Sequence, residues 1–179
     1  MIWLNGTFGV GKTTTAGHLV ARGDGLRLFD PEWVGYLLAN NLADHEFTDF
    51  QQLPPWRTLV PVVADEVARF TQQHLVVVQT VLRQEYWEEI TGGLRARGHE
   101  VVHVLLDASP DMLHARIDAD PDGRNIRSWR HDHVAEFAAQ RSWLVASADL
   151  VVDTGATGPE CVADAVLERI AVRAGGELR

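Results

Sequence analysis

The chain alternates between short, continuous apolar runs and longer stretches in which apolar residues recur every three or four positions. Runs of strand length lie at Ile2–Asn5, Leu26–Asp30, Leu75–Thr80, Val101–Asp107 and Leu150–Asp153. Continuous rather than alternating apolar character is what strands covered by helices on both faces require. Helical rows follow these runs at Ala16, Leu19 and Val20, at Leu59, Val63, Val67 and Phe70, and at Trp87, Ile90 and Leu94. Others lie at Leu113 and Ile117, at Val134, Phe137 and Leu144, and at Val162, Val166 and Ile170. The alternation predicts a three-layer α/β fold around a five-stranded, mainly parallel sheet.

Two polar stretches interrupt the rhythm. Residues 44–57 include Asp49-Phe50-Gln51-Gln52-Leu53-Pro54-Pro55, where the paired prolines are expected to stop a helix. Residues 119–130 are rich in Asp, Gly and Arg and lie between two helical rows. Long polar insertions in a compact domain are usually binding loops or lids, so the first is read as an acceptor-side insertion and the second as a small lid. With 179 residues, 46% of them apolar, the chain has material for one domain spanning 1–179.

A formal charge of -9 gives no electrostatic footprint for nucleic acid or an anionic membrane surface. Any polyanion must be met by a local pocket, and the expected partner is a small molecule. The one cysteine, Cys161, cannot form an internal disulfide, which suits a reducing, cytoplasmic setting. Met1 is followed at once by a strand-like segment rather than a leader, and no apolar run approaches the roughly 20 residues that span a bilayer. Stable membrane insertion is not expected.

Between the first run and the first helical row stands Gly6-Thr7-Phe8-Gly9-Val10-Gly11-Lys12-Thr13-Thr14, which contains glycine, four residues, then Gly-Lys-Thr. Strand, loop and helix in this order are the context that a phosphate loop needs. Gly6 and Gly11 permit backbone angles that a Cβ would forbid, so successive N–H groups can turn inward around a phosphate. The helix starting near Lys12 adds its positive end to the same spot. Lys12 can reach the β- and γ-phosphates, and the Thr13 hydroxyl can bind Mg²⁺. Lys12 is the only lysine in the chain, so a guanine-recognising Asn-Lys-x-Asp motif is impossible and ATP is the expected nucleotide.

Motor and transport ATPases carry an acid pair after an apolar run to hold Mg²⁺ and a hydrolytic water. Here Leu75–Val78 leads into Gln79-Thr80, and Val101–Leu106 into Asp107-Ala108-Ser109-Pro110. Ser109 reads as an N-cap with Pro110 in the first helical position, and Asp107 as a turn residue. Asp30-Pro31-Glu32 places two carboxylates past the carboxyl edge of a strand, where ligands lie in open parallel sheets. Asp30 can accept a proton from an attacking hydroxyl or hold Mg²⁺, and it can equally cap the helix that follows.

The run Asp107–Arg116 resembles the strand, turn and helix leading into the lid of the nucleoside monophosphate, shikimate and gluconate kinases. That resemblance implies a phosphate contact for Arg116 and a place beside the phosphate loop for the second strand. Ile2–Thr13, Asp30-Pro31-Glu32, Asp49-Phe50-Gln51, Pro55-Trp56-Arg57 and Glu85-Tyr86-Trp87 together resemble the bacterial tunicamycin-resistance ATP-binding proteins. What this implies is ATP-dependent protection against a nucleoside-like antibiotic, by phosphorylating a hydroxyl of it or by binding it without transfer. Asp49, Gln51, Trp56, Arg57 and Gln79 would then join Asp30 and Glu32 on the acceptor side. Trp56 would stack on a base or sugar, or else bury as part of its helix, and Arg57 would bind an anionic group. Arg124 and Arg127, with Arg130 beside them, would offer positive charge to the transferring phosphoryl group.

Overall fold

In the computed structural model, residues 1–121 and 124–176 are described; of the expected lid, residues 122–123 lie outside them. Five strands form one parallel sheet: β1 (Ile2–Asn5), β2 (Leu26–Phe29), β3 (His74–Val78), β4 (Val102–Asp107) and β5 (Leu150–Asp153). Their spatial order is β2-β3-β1-β4-β5. The central strand β1 pairs with β3 through Trp3 opposite Val77 and with β4 through Trp3 opposite His103. The chain leaves β1 toward one side of the sheet and later crosses to the other. The carboxyl end of β1 therefore opens a crevice, the usual ligand position in such sheets.

Among the described residues seven α-helices flank the sheet: α1 (Lys12–Arg22), α2 (Glu32–Asn41), α3 (Pro54–Thr71), α4 (Gln84–Arg95), α5 (Pro110–Ala119), α6 (Arg127–Ser147) and α7 (Pro159–Gly176). Alternate residues of β1 feed the two faces of the sheet, as the twofold period of a strand dictates. Ile2 and Leu4 pack with Ala16, Leu19, Leu113, Ile117, Val162 and Val166 from α1, α5 and α7. Trp3 packs on the other face with Val60, Ala64, Ile90 and Leu94 from α3 and α4. Trp3 meets Trp87 edge-on, with ring centroids 5.3 Å apart, a favoured aromatic geometry.

The acceptor-side insertion departs from expectation. Pro54 does not stop a helix; it opens α3, because a proline in the first turn lacks only an N–H that would have no intrahelical partner. The buried row of α3 is Trp56, Val60 and Ala64, flanked by Arg57, Pro61 and Asp65. The predicted row is offset from it, and its last member, Phe70, is 91% exposed. Pro61 stays inside the helix and faces α4, where a Cβ on Gly93 would come within 2.8 Å of the proline ring. Ser109 caps α5 as expected, accepting from Met112 N–H, with Pro110 in the first turn.

Candidate functional site

The loop between β1 and α1 is shaped by its glycines. Gly6 has φ +133°, and a Cβ there would collide with the Leu106 carbonyl of β4. Gly11 has φ +93° and delivers the chain into the first turn of α1. That turn contains no acidic residue, so its N–H groups and positive helix end face the crevice without competition. The loop is latched at both sides. The Asn5 side-chain oxygen accepts from Gly6 N–H at 2.8 Å and Val81 N–H at 2.9 Å, while Thr80 Oγ1 donates to the Gly6 carbonyl at 2.7 Å.

Lys12 folds back over this loop, its Nζ donating to the carbonyls of Gly6 and Thr7. Burial draws its pKa down to about 7, with Glu32 opposing the shift and Arg130 adding to it. Thr13 and Thr14 are exposed on the first turn of α1. Above the loop, Phe8 packs against Trp129 at 5.0 Å and His133 at 5.4 Å, and Thr7 Oγ1 donates to the His133 carbonyl. Helix α6 therefore roofs the loop.

Asp30 and Glu32 stand where β2 meets α2, across the crevice from Lys12. Asp30 caps α2 by accepting from Glu32 N–H at 2.9 Å, and its second carboxylate oxygen has no hydrogen bond among the described residues. Burial pushes both carboxyls up, and for Glu32 the charge of Asp30 adds to it. The charges of Lys12 and Arg130 reach Glu32 and pull the other way. Neither carboxylate forms an ion pair among the described residues, whereas Asp107, Asp120 and Glu89 are each paired to an arginine. Asp107 thus serves the turn, accepting from Ala108 N–H and from Arg141.

The insertion closes the third side. Asp49 caps a 3-10 turn at Phe50–Gln52 by accepting from Gln51 N–H, and burial raises its carboxyl. The Gln51 side-chain amide donates to the Thr80 carbonyl at 3.0 Å, on the same residue whose hydroxyl latches Gly6. Gln79, 5% exposed, donates to the same carbonyl at 3.2 Å, and its Oε1 has no partner among the described residues.

Two residues expected to touch an acceptor are turned inward instead. Trp56 is fully buried: its Nε1 donates to the Pro31 carbonyl and its ring lies 5.2 Å from Phe50. It offers no face for stacking and holds the 3-10 turn against the start of α2. Arg57, 9% exposed, donates to Glu89 at 2.7 Å and to the Gln51 carbonyl at 2.6 Å, over the face of Tyr86 at 4.2 Å. Its charge is spent on this brace rather than on an external anion.

A second cleft, of about 440 Å³, lies on the far side of the loop between Gly9–Gly11, Thr14, Arg116 and residues 154–158. Arg116 is fixed there by the Gly9 carbonyl, Thr154 Oγ1 and the Thr154 carbonyl. Of the lid arginines, Arg124 is exposed in a 3-10 turn, and Arg127 reaches the Asp120 carbonyl at 3.4 Å. Arg130 comes nearest the loop, bridging Asp120 at 2.7 Å with its guanidinium 5.5 Å from the Phe8 ring. Asn5, Thr80, His133 and Thr154 were invisible as site residues in the sequence. The only signal was a polar residue at the carboxyl end of an otherwise apolar run, which Asn5 and Thr80 share.

No helix among the described residues is long and apolar enough to cross a membrane. Residues 1–146 match the AAA domain family. Among solved structures, the tunicamycin resistance protein of Deinococcus radiodurans is similar at 25% identity and a TM-score of 0.75, over 95% of this chain and 94% of that one. Shikimate kinase of Acinetobacter baumannii, solved with shikimate, shares the fold at 18% identity and a TM-score of 0.58, over 99% and 94% of the two chains. The APS kinase of Mycobacterium tuberculosis, solved with AMPPNP and APS, shares it at 16% identity and 0.60, over 95% and 96%. Nothing among the curated proteins matches.

Proposed function

This chain belongs to the AAA domain family, and on that premise we propose that it is an ATP-dependent small-molecule kinase. It transfers the γ-phosphoryl group of ATP to a hydroxyl of a nucleoside- or sugar-like acceptor. The observation that carries this reading is the juxtaposition of Asp30 and Glu32, partly buried and without an ion pair among the described residues, with Lys12 at the mouth of a phosphate loop. The likeness to the tunicamycin resistance protein supports an acceptor of the antibiotic class, with resistance as the outcome.

In this reading the N–H groups of Gly9–Thr14 and the Lys12 ammonium hold the triphosphate, and the base lies in the cleft bounded by Arg116 and Thr154. Asp30 faces the acceptor hydroxyl and takes its proton. A base raised above the ordinary carboxylate range by burial transfers protons more effectively near neutral pH. The Thr13 hydroxyl and the Asp30 carboxylate are hard oxygen donors that suit Mg²⁺, which neutralises phosphate charge when bound. Arg130 and Arg116 flank the loop and add positive charge to the transferring group, while Arg124 and Arg127 would approach only with movement of the lid. The α6 roof over Phe8 excludes water from the site.

Incubation with ATP, Mg²⁺ and a candidate acceptor, read by mass spectrometry, tests the reading. Gain of one phosphoryl group on the acceptor, with ADP formed only in its presence, is the expected result. Tight binding without transfer would instead make the protein a sequestering one.

A further inference from the structure

Asp30, Glu32 and Asp49 supply hydrogen-bond acceptors and negative charge on the side of the loop proposed for the acceptor, and the buried Arg57 is already committed to Glu89. Asp49 holds the 3-10 turn with one oxygen, and it forms no ion pair among the described residues. Gln79 and Gln51 both donate their amides to the Thr80 carbonyl, so the two side chains converge on one atom beside the loop. Gln79 cannot be flipped to cure its unpartnered Oε1, because the flip would set oxygen against that carbonyl oxygen. A buried acceptor without a donor is costly, and a ligand that brings one relieves the cost.

Arg83 and His133 also face Asp49 at electrostatic range, and Glu136 opposes them. The His133 Nδ1 is occupied by the Trp129 carbonyl. Arg57, expected from the sequence to bind an anionic group, is turned inward and paired with Glu89. On α2, Tyr36 and Trp33 meet edge-on at 5.7 Å with Trp33 72% exposed, an aromatic lip next to Glu32 on which a sugar ring or a cation can rest.

We infer that the acceptor is an amine-bearing polyol or sugar, whose ammonium group lies against Asp49 and Gln79 Oε1 while a nearby hydroxyl faces Asp30. This rests on the kinase reading and deepens it. In the reaction the hydroxyl oxygen forms a bond to the γ-phosphorus of ATP, the bond from that phosphorus to the β,γ-bridging oxygen breaks, and ADP leaves. The hydroxyl proton passes to Asp30, and the ammonium is unchanged.

The test is a turnover panel with ATP and Mg²⁺ on the whole chain. Glucosamine and kanamycin carry amines, N-acetylglucosamine and inositol are neutral, and gluconate and shikimate are anionic. The amine-bearing probes are expected to exceed the others in kcat/KM by about tenfold or more, the worth of one charge-assisted hydrogen bond. Asp49→Asn keeps the cap on Gln51 N–H and is expected to reduce that preference to about threefold or less. Preference for an anionic probe, equal turnover of all classes, or no turnover of any overturns the inference. Calorimetry with AMPPNP is run alongside: nucleotide binding that persists when the panel fails condemns only the acceptor class, whereas absent nucleotide binding condemns the kinase reading itself.

Discussion

Lys12 Nζ lies 2.9 Å from the Gly6 carbonyl oxygen and 3.0 Å from that of Thr7, so the loop built to receive phosphate holds its own ammonium group. The same arrangement removes that group from water, which is why its pKa falls to about 7. A triphosphate in the loop brings negative charge to the ammonium and favours its protonated form. At pH 8 the lysine is largely neutral beforehand, so nucleotide binding should take up close to one proton. Calorimetry in buffers of different ionisation enthalpy measures this directly. The uptake should disappear below about pH 6, where Lys12 is already charged, and should be absent in Lys12→Met along with most of the affinity.

Asp30→Asn separates chemistry from stability. The asparagine oxygen still accepts from Glu32 N–H, so α2 keeps its cap. Because the folded-state pKa of Asp30 is raised by burial, the native state loses stability as pH rises through the window between the ordinary carboxylate value and the raised one. Removing that charge should therefore raise Tm by about 1–4 °C at neutral pH. Turnover should fall by about 100-fold or more, while AMPPNP affinity stays within about threefold.

The fold was readable because long-range packing leaves a local trace. All five strands lie where the apolar runs are, and the phosphate loop sits between β1 and α1 as its spacing requires. Reading failed where one residue type serves two environments. Pro54 carries the same letters whether it breaks a helix or begins one, and only the preceding extended Leu53 decides. Trp56 and Arg57 have side chains suited to ligands and to cores alike. Whether Arg57 meets an anion depends on Glu89, 32 positions away on another helix, and nothing in the local pattern encodes that pairing. The latch from Asn5 to Val81 was hidden for the same reason, since it joins residues 76 positions apart.

Arg57→Ala should act as a packing and bracing mutation. It removes two short hydrogen bonds, to Glu89 and to the Gln51 carbonyl, and the stack on Tyr86. Loss of about 2–3 kcal/mol is expected, since Gln51 O is left without its donor and Glu89, being half-exposed, recovers water. For a chain of this size that is a fall in Tm of roughly 4–10 °C. Acceptor KM should rise because the 3-10 turn loosens, with nucleotide affinity nearly unchanged. Arg57→Lys should recover less than half of the stability, as an ammonium cannot reproduce the planar fork over the ring.

His103 ties acid sensitivity to the same loop. Its ring lies 4.2 Å from that of Trp87, with Asn5 Nδ2 3.4 Å from Nε2 and Ser147 Oγ 3.2 Å from Nδ1. Asn5 can only donate through Nδ2, so Nε2 accepts and the proton sits on Nδ1, facing Ser147. Burial lowers the pKa to about 4, against an ordinary value near 6.5. Between these two values the unfolded chain binds a proton that the native state refuses, so stability falls as pH drops through the window, by at most about 3 kcal/mol at its lower end. Asp30, Glu32 and Asp49, whose pKa values are raised by burial, contribute a slope of opposite sign as they titrate above their ordinary values. The difference between wild type and His103→Leu isolates the histidine, because the carboxylates are common to both. Urea midpoints at pH 5, 6 and 7 should show the wild type losing stability relative to the variant as pH falls. Parallel curves for the two proteins would mean that the imidazole takes its proton without leaving the native state and that the Asn5 latch tolerates a charged neighbour.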